Sequence, residues 1–128
     1  MKVIAISMRN NLFAGGTEIA LKRSGNFRPI QVSPTPSTNL FLECIAVKPD
    51  IIFIEVRQGI ENEWEETLEI IEKLKKELPQ IKVAIICDEK AYPKLAGNVK
   101  RARQQRKIDA FYFTSITIDY LVEALDAI

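Results

Sequence analysis

Few side chains in this chain of 128 residues are placed to do chemistry. Glu55 directly follows the apolar run Ile51-Ile52-Phe53-Ile54. Ser7, Met8 and Arg9 close an N-terminal apolar run, Cys87, Asp88 and Glu89 close another, and Thr114-Ser115 a last one. A lone carboxylate can be a ligand, an acid or a hydrogen-bond anchor. Catalysis by carboxylates wants a second acid nearby, and a hard cation wants two or three oxygen ligands. The first loop supplies no acid. It supplies Arg9, and Arg57 stands just beyond Glu55, so an ion pair between Glu55 and a neighbouring arginine is expected. Asp88 and Glu89 read as solvated loop residues rather than a metal pair.

The composition closes other routes. There is no histidine, which removes Ser-His-Asp and Cys-His catalysis, His-bearing zinc sites and histidine phosphorelay. Cys44 and Cys87 lie far apart, in no CxxC, each inside an apolar segment. Both are expected to be buried free thiols, which together with the lack of a signal peptide points to the cytoplasm. The loop Ser7-Met8-Arg9-Asn10-Asn11-Leu12-Phe13-Ala14-Gly15-Gly16 has no Walker sequence and no GxGxxG, and Ser7 is its one early hydroxyl, so a nucleotide or flavin cradle is disfavoured. The expectation is no catalytic residue, no metal and no cofactor. The 18 Lys+Arg against 17 Asp+Glu argue against a dedicated nucleic-acid or membrane binder.

These residues need elements to position them. Apolar runs at Val3–Ser7, Phe27–Val32, Ile51–Ile54, Ile81–Cys87 and Ala110–Phe113 read as strands. The run 51–54 does not alternate, the mark of a strand covered on both faces. Helical patterns fill the gaps. Leu12–Arg23 is stopped by Gly25-Asn26. A helix capped by Ser37 or Thr38 reaches Lys48, where Pro49 ends it. Another starts near Asn62, carries Trp64, Leu68, Ile71, Leu74 and Leu78 as its apolar stripe, and stops at Pro79. Tyr92-Pro93 opens a helix running to about Lys107. Thr117 caps a last helix with Ile118, Leu121, Val122, Leu125 and Ile128 as its apolar face. Five βα units imply one α/β domain over 1–128, a five-stranded parallel sheet of flavodoxin-like order 2-1-3-4-5 with helices on both faces. Any site then lies at the carboxyl ends of the strands.

Lys48-Pro49-Asp50-Ile51-Ile52-Phe53-Ile54-Glu55 resembles the KPDlvllD run of response-regulator receiver domains, with Glu55 at the place of the phospho-accepting aspartate. Asn10 to Gly16 resembles the first loop of NarL-like receivers. Leu78-Pro79-Gln80-Ile81-Lys82-Val83-Ala84-Ile85-Ile86-Cys87 resembles their stretch into the fourth strand. Phe111-Tyr112-Phe113-Thr114 and Leu121-Val122-Glu123-Ala124-Leu125 resemble their ending. The resemblance spans nearly the whole chain, and it implies the receiver fold and a role in two-component signalling and transcription regulation.

The family's functional residues map poorly. Its Mg²⁺-binding acidic pair falls on Met8-Arg9 or Ser7-Met8, its hydroxyl on Cys87 and its lysine on Thr114. The resemblance therefore implies a degenerate pseudo-receiver, with Arg9 standing where the metal would and neutralising Glu55. Two alternatives stay open: a phosphoswitch with a non-standard acceptor such as Asp88, or a flavodoxin-like small-ligand binder. The span from Cys87 to Thr114 is also a few residues longer than receivers usually have. It holds Lys100, Arg101, Arg103, Arg106 and Lys107, five cations in eight positions, whereas 51–80 has eight acids against four bases. That basic run, with Tyr112, is a candidate partner surface. The resemblance implies that a protein partner or a second copy binds through the fourth helix, fifth strand and fifth helix, with nucleic acid reached only through the basic helix or a further domain. The apolar helical pattern still running at Ile128 leads us to expect the N-terminal part of a longer regulatory protein.

Overall fold

The computed structural model describes residues 1–59 and 61–128. Its elements run β1 (Lys2–Ser7), α1 (Asn11–Ser24), β2 (Phe27–Gln31), α2 (Thr38–Val47), β3 (Ile51–Val56), α3 (Glu63–Glu77), β4 (Lys82–Cys87), α4 (Pro93–Gln104), β5 (Ala110–Phe113) and α5 (Ile118–Asp126). All strand pairings are parallel, in the order β2-β1-β3-β4-β5. This is the order the sequence implied, and it is the flavodoxin-like order of receivers. Among the described residues no helix is long and apolar enough to cross a membrane.

Burial explains the topology. β3 and β4 are buried along nearly their whole length, as two-faced strands must be. β2 is an edge and tolerates Pro29, which cannot donate to a ladder. Two apolar layers flank the sheet. α1 and α5 cover one face, with Ala14, Leu21, Leu121 and Leu125 packed on Ile4, Ile6, Phe53 and Ile86. α2, α3 and α4 cover the other, around Leu40, Cys44, Ile71, Leu74 and Val99. Asp50 ties strand starts together: its Oδ2 accepts from the Val3 amide at 2.8 Å and its carbonyl from Lys82 at 2.9 Å.

Helix ends follow their capping chemistry. Asn10, Ser37 and Thr117 each accept an amide of the following first turn, and Gly25 closes α1 at φ +79. Two helix boundaries and one buried face differ from expectation. Asn62 holds the N-cap position of α3 at φ +62 but makes no side-chain cap bond. α3 turns Thr67 and Ile70 to the sheet, leaving Trp64 and Leu68 half-buried at its flank. α4 stops at Gln104 instead of about Lys107, because Arg106 turns left-handed at φ +60. The Lys107 amide then reaches the Ala102 carbonyl and Arg106 that of Arg103, a Schellman closure with arginine in glycine's usual place.

Candidate functional site at the carboxyl edge

Parallel register sets this edge. Ser7 pairs with Ile54, Glu55 with Ile86 and Cys87 with Phe113, so Met8 and Glu55 stand level with Ile86, and Asp88 and Thr114 lie two residues further along their strands. β3 extends to Val56, so Glu55 is its penultimate residue rather than the first after it. The half-buried Glu55 side chain crosses to the β1–α1 loop. There its Oε1 accepts the amides of Arg9 at 2.9 Å and Asn10 at 3.3 Å. Those amides lie just ahead of α1, at the end of the helix where backbone dipoles favour a negative charge.

This replaces the expected Glu55–arginine ion pair. Glu55 is satisfied by backbone amides, and the Arg9 guanidinium turns to Glu63 in the first turn of α3. Nη1 donates to Glu63 Oε2 at 3.0 Å and Nη2 pairs with Oε1. The physical reason is burial. Glu63 is 7 % exposed and lines a small cavity with Pro34, Pro36, Leu40, Ile70 and the Glu55 carboxylate, and a carboxylate removed from water there requires a counter-charge. Arg9 does not neutralise Glu55 directly. It bolts the β1–α1 loop to α3, and Glu55 bolts the same loop to β3.

The remaining edge residues are occupied in other ways. Met8 is buried in the α1/α5 layer. Ser7 Oγ donates to the Ser33 carbonyl at 2.7 Å. Cys87 is buried, and burial, then Asp88 and Glu89, push its thiol up to about 11. Cys44 is likewise raised to about 11 by burial and Glu43. Both are free thiols, as expected. Asp88 Oδ1 accepts from the Lys90 and Ala91 amides at 3.1 and 3.0 Å, fixing the turn into α4. Thr114 is exposed, and its amide donates to the Cys87 carbonyl at 3.2 Å. Glu55, Asp88 and Thr114 share an open hollow of about 390 Å³ with Asn10, Arg57 and Tyr92. Met8, Arg9 and Cys87 do not line it.

The donor set at this edge does not fit a magnesium ion. Met8 offers a buried thioether and Arg9 a cation where a hard dication needs carboxylates. Among the described residues no cluster of three or more His, Cys, Asp or Glu side chains could hold a metal.

The expected basic surface divides in two. Lys100, Arg101 and Arg103 are exposed on α4, while Arg106 and Lys107 sit in the turn that ends it. Lys100 Nζ stands 5.5 Å over the Phe113 ring, and Arg101 donates to Asn98. Tyr112 belongs to the opposite layer. It is half-buried, edge-on to Phe53 at 6.2 Å, and burial, then Tyr120, raises its phenol. Tyr112 therefore points away from the Phe113 ring that Lys100 covers.

Two residues that the sequence reading missed join distant segments. One is Glu63, at this edge. The other is Asp109, at the opposite, amino edge of the sheet, whose Oδ2 accepts from the Val83 amide at 2.7 Å and Lys75 Nζ at 2.8 Å. Burial alone would raise its pKa, but the hydrogen bonds from Lys75 and Val83 and the charges of Lys75 and Lys82 outweigh it and the pKa is lowered. Neither pairing leaves a local pattern, since each joins segments far apart in the chain.

No protein-family model matches the chain, and no curated protein matches it by sequence. Solved structures do match by shape. A DNA-binding response regulator of the LuxR family from Staphylococcus aureus superposes with a TM-score of 0.76 at 18 % identity, over 99 % of this chain and 98 % of that one. The signal receiver domain of NarL from Mycobacterium tuberculosis gives 0.73 at 20 % identity, over 97 % and 92 %. The two-component response regulator RcsB in its DNA complex gives 0.74 at 13 % identity, over 98 % of this chain and 59 % of that one. The chain has the receiver fold of two-component response regulators.

Proposed function

We propose that this chain is a receiver-like signalling module that works without phosphorylation, through contacts with other proteins, as part of cytoplasmic, transcription-linked regulation. One observation carries the reading. The loop that would supply a metal-binding acid pair is bolted instead, by Glu55 to its amides and by the Arg9–Glu63 pair to α3. Phosphoryl transfer from a small donor needs Mg²⁺ to offset charge on the phosphoryl oxygens and an aspartyl nucleophile to attack. This edge has a cation in place of the metal's ligands, a glutamate held by amides, and a thiol kept neutral by burial. A module with this edge performs no chemical step of its own and holds one conformation. Its partner surface is the face of α4, β5 and α5, where Lys100, Arg101 and Arg103 form an uncompensated basic strip suited to an acidic protein surface.

The second reading is a phosphoswitch that uses Asp88. Its support is the shared hollow with Glu55 and Thr114. Its weakness is the commitment of Asp88 Oδ1 to two amides. Capture of partners from the native lysate distinguishes the two, with and without Mg²⁺ and a small phosphodonor, and with nuclease in half the samples. The proposal expects one nuclease-resistant protein set, unchanged by the phosphodonor. A set that changes with phosphodonor supports Asp88. A set lost to nuclease makes the basic strip a nucleic-acid surface.

A further inference from the structure

α3 and α4 cover the same sheet face, but each finds its closest packing elsewhere, α3 on α2 and α4 on β4 and β5. Two hollows open along the flank of α3 that this leaves. One, of about 380 Å³, lies between Trp64 and Glu65 of α3 and Lys94 and Leu95 of α4, and Arg57 and Glu61 close it at the carboxyl edge. The other, of about 500 Å³, begins one turn further along α3. It lies between Leu68 and Glu69 and the Lys107 turn that ends α4, and reaches Lys75. End to end they follow α3 from Trp64 to Lys75, roughly 16 Å or three helical turns.

The floor of this groove is apolar. Trp64 and Leu68 stand one turn apart, packed on the core on one side and half-buried. Tryptophan in such a place is the side chain that most often anchors a partner.

The walls carry opposite charges. Glu65 and Glu69 stand one turn apart on the α3 side, with Lys94 and Lys107 on the other. All four are exposed, and none has an ion-pair partner among the described residues. The cations further along α3 are engaged, Lys75 by Asp109 and Lys76 by Glu72. Among the described residues no ion pair joins α3 to α4, so acids and bases face each other with the apolar floor between them. An occupant that matches this cross-section is apolar beneath, basic along one flank and acidic along the other. A helix has that form, with its apolar stripe bordered by a polar flank on each side. A strand turns alternate side chains to floor and solvent and presents no charged flank to either wall.

We propose that the groove between α3 and α4 docks an amphipathic helix of a partner protein. Its apolar stripe lies on Trp64 and Leu68, its basic flank faces Glu65 and Glu69, and its acidic flank faces Lys94 and Lys107. This flank of α4 is turned away from Lys100 and Phe113. The groove is thus a surface additional to the one proposed above, and it stands whether or not the chain takes up a phosphoryl group.

The probe is a stapled synthetic helix of about 14 residues, with leucines at three- and four-residue steps, lysines along one flank and glutamates along the other. The readout on the full chain is the emission of Trp64, its one tryptophan. The probe shifts that emission to the blue and saturates. A scrambled probe of the same composition leaves it unmoved, and probes with lysine on both flanks or glutamate on both flanks bind about fivefold more weakly. Glu65→Lys with Glu69→Lys reverses the preference toward the all-glutamate probe. Lys94→Glu with Lys107→Glu reverses it toward the all-lysine probe, by an independent route. Thermal unfolding of each variant confirms the fold. Glu123→Lys, exposed on α5 in the other layer, changes no preference. An emission that the probe does not move overturns the proposal. So does equal binding of the scrambled probe, or a preference that both double variants leave as it was. An emission that shifts with the concentration of the chain alone also overturns it, and makes the occupant a second copy.

Discussion

Replacing Arg9 by methionine removes the counter-charge of a buried carboxylate. The Arg9 and Glu63 side chains are 16 % and 8 % exposed and meet through both guanidinium nitrogens. Breaking one partner of a fully buried pair costs about 3–5 kcal/mol. Arg9 keeps some solvent contact, and the amide dipoles at the start of α3 still favour Glu63 by about 0.5 kcal/mol. The expected cost of Arg9→Met is therefore about 2–3 kcal/mol, a fall of roughly 10 °C in Tm for a domain of this size. Glu63→Met alone leaves an arginine that can swing into solvent and costs about 1 kcal/mol. The double variant places methionine among Pro34, Pro36, Leu40 and Ile70 and returns to within about 1 kcal/mol of the native chain. Urea unfolding of all four proteins, with the m-value held constant, yields the coupling energy, expected near 2 kcal/mol. An Arg9→Met cost below about 0.5 kcal/mol, with no coupling, means the pair behaves as an ordinary surface ion pair. The bolt between loop and α3 would then have no energetic basis.

Other consequences follow from the same contacts. Glu55→Gln keeps an acceptor for the Arg9 and Asn10 amides but loses its charge, and lowers stability by about 1 kcal/mol in chemical denaturation; no change would detach Glu55 from the loop. Asp109→Ala costs about 1–2 kcal/mol at neutral pH. Because the Asp109 pKa is lowered on folding, that contribution is present above the unfolded carboxyl range and is lost as pH falls through the folded value, so the gap between native and variant midpoints narrows in acid, below the ordinary carboxyl range. The two thiols act in the opposite sense. Their pKa values rise from 9.0 to about 11, so the unfolded chain releases protons that the folded chain keeps, and stability falls between those limits by up to about 2–3 kcal/mol per thiol. Near neutrality neither thiol is alkylated at the rate of a free cysteine, and stoichiometric labelling of the native chain would contradict that burial.

The architecture was legible because its signals are local. Unbroken apolar runs marked β3 and β4, Ser37 and Thr117 stood where caps stand, and βα alternation leaves few topologies. Long-range pairing was not legible. Arg9 had two acids to choose between, and the choice rests on the burial of Glu63, set by how α3 enters after a left-handed Asn62. Glu55 found backbone amides, which carry no residue signature. The end of α4 was misplaced because arginine occupies a left-handed position that glycine usually marks. Lys100 to Lys107 read as one patch on a line of sequence, and became a helix face and a turn in space.

The account's central claim is that this edge takes no phosphoryl group. The direct measurement is intact-protein mass, read together with amide NMR spectra, on the full chain incubated with Mg²⁺ and a small phosphodonor. The prediction is no phosphoryl mass gain and no shift in the amides of Arg9, Asn10, Asp88 or Thr114. A stable phosphoryl adduct, with those amides displaced, would contradict it and turn the fixed module into a switch.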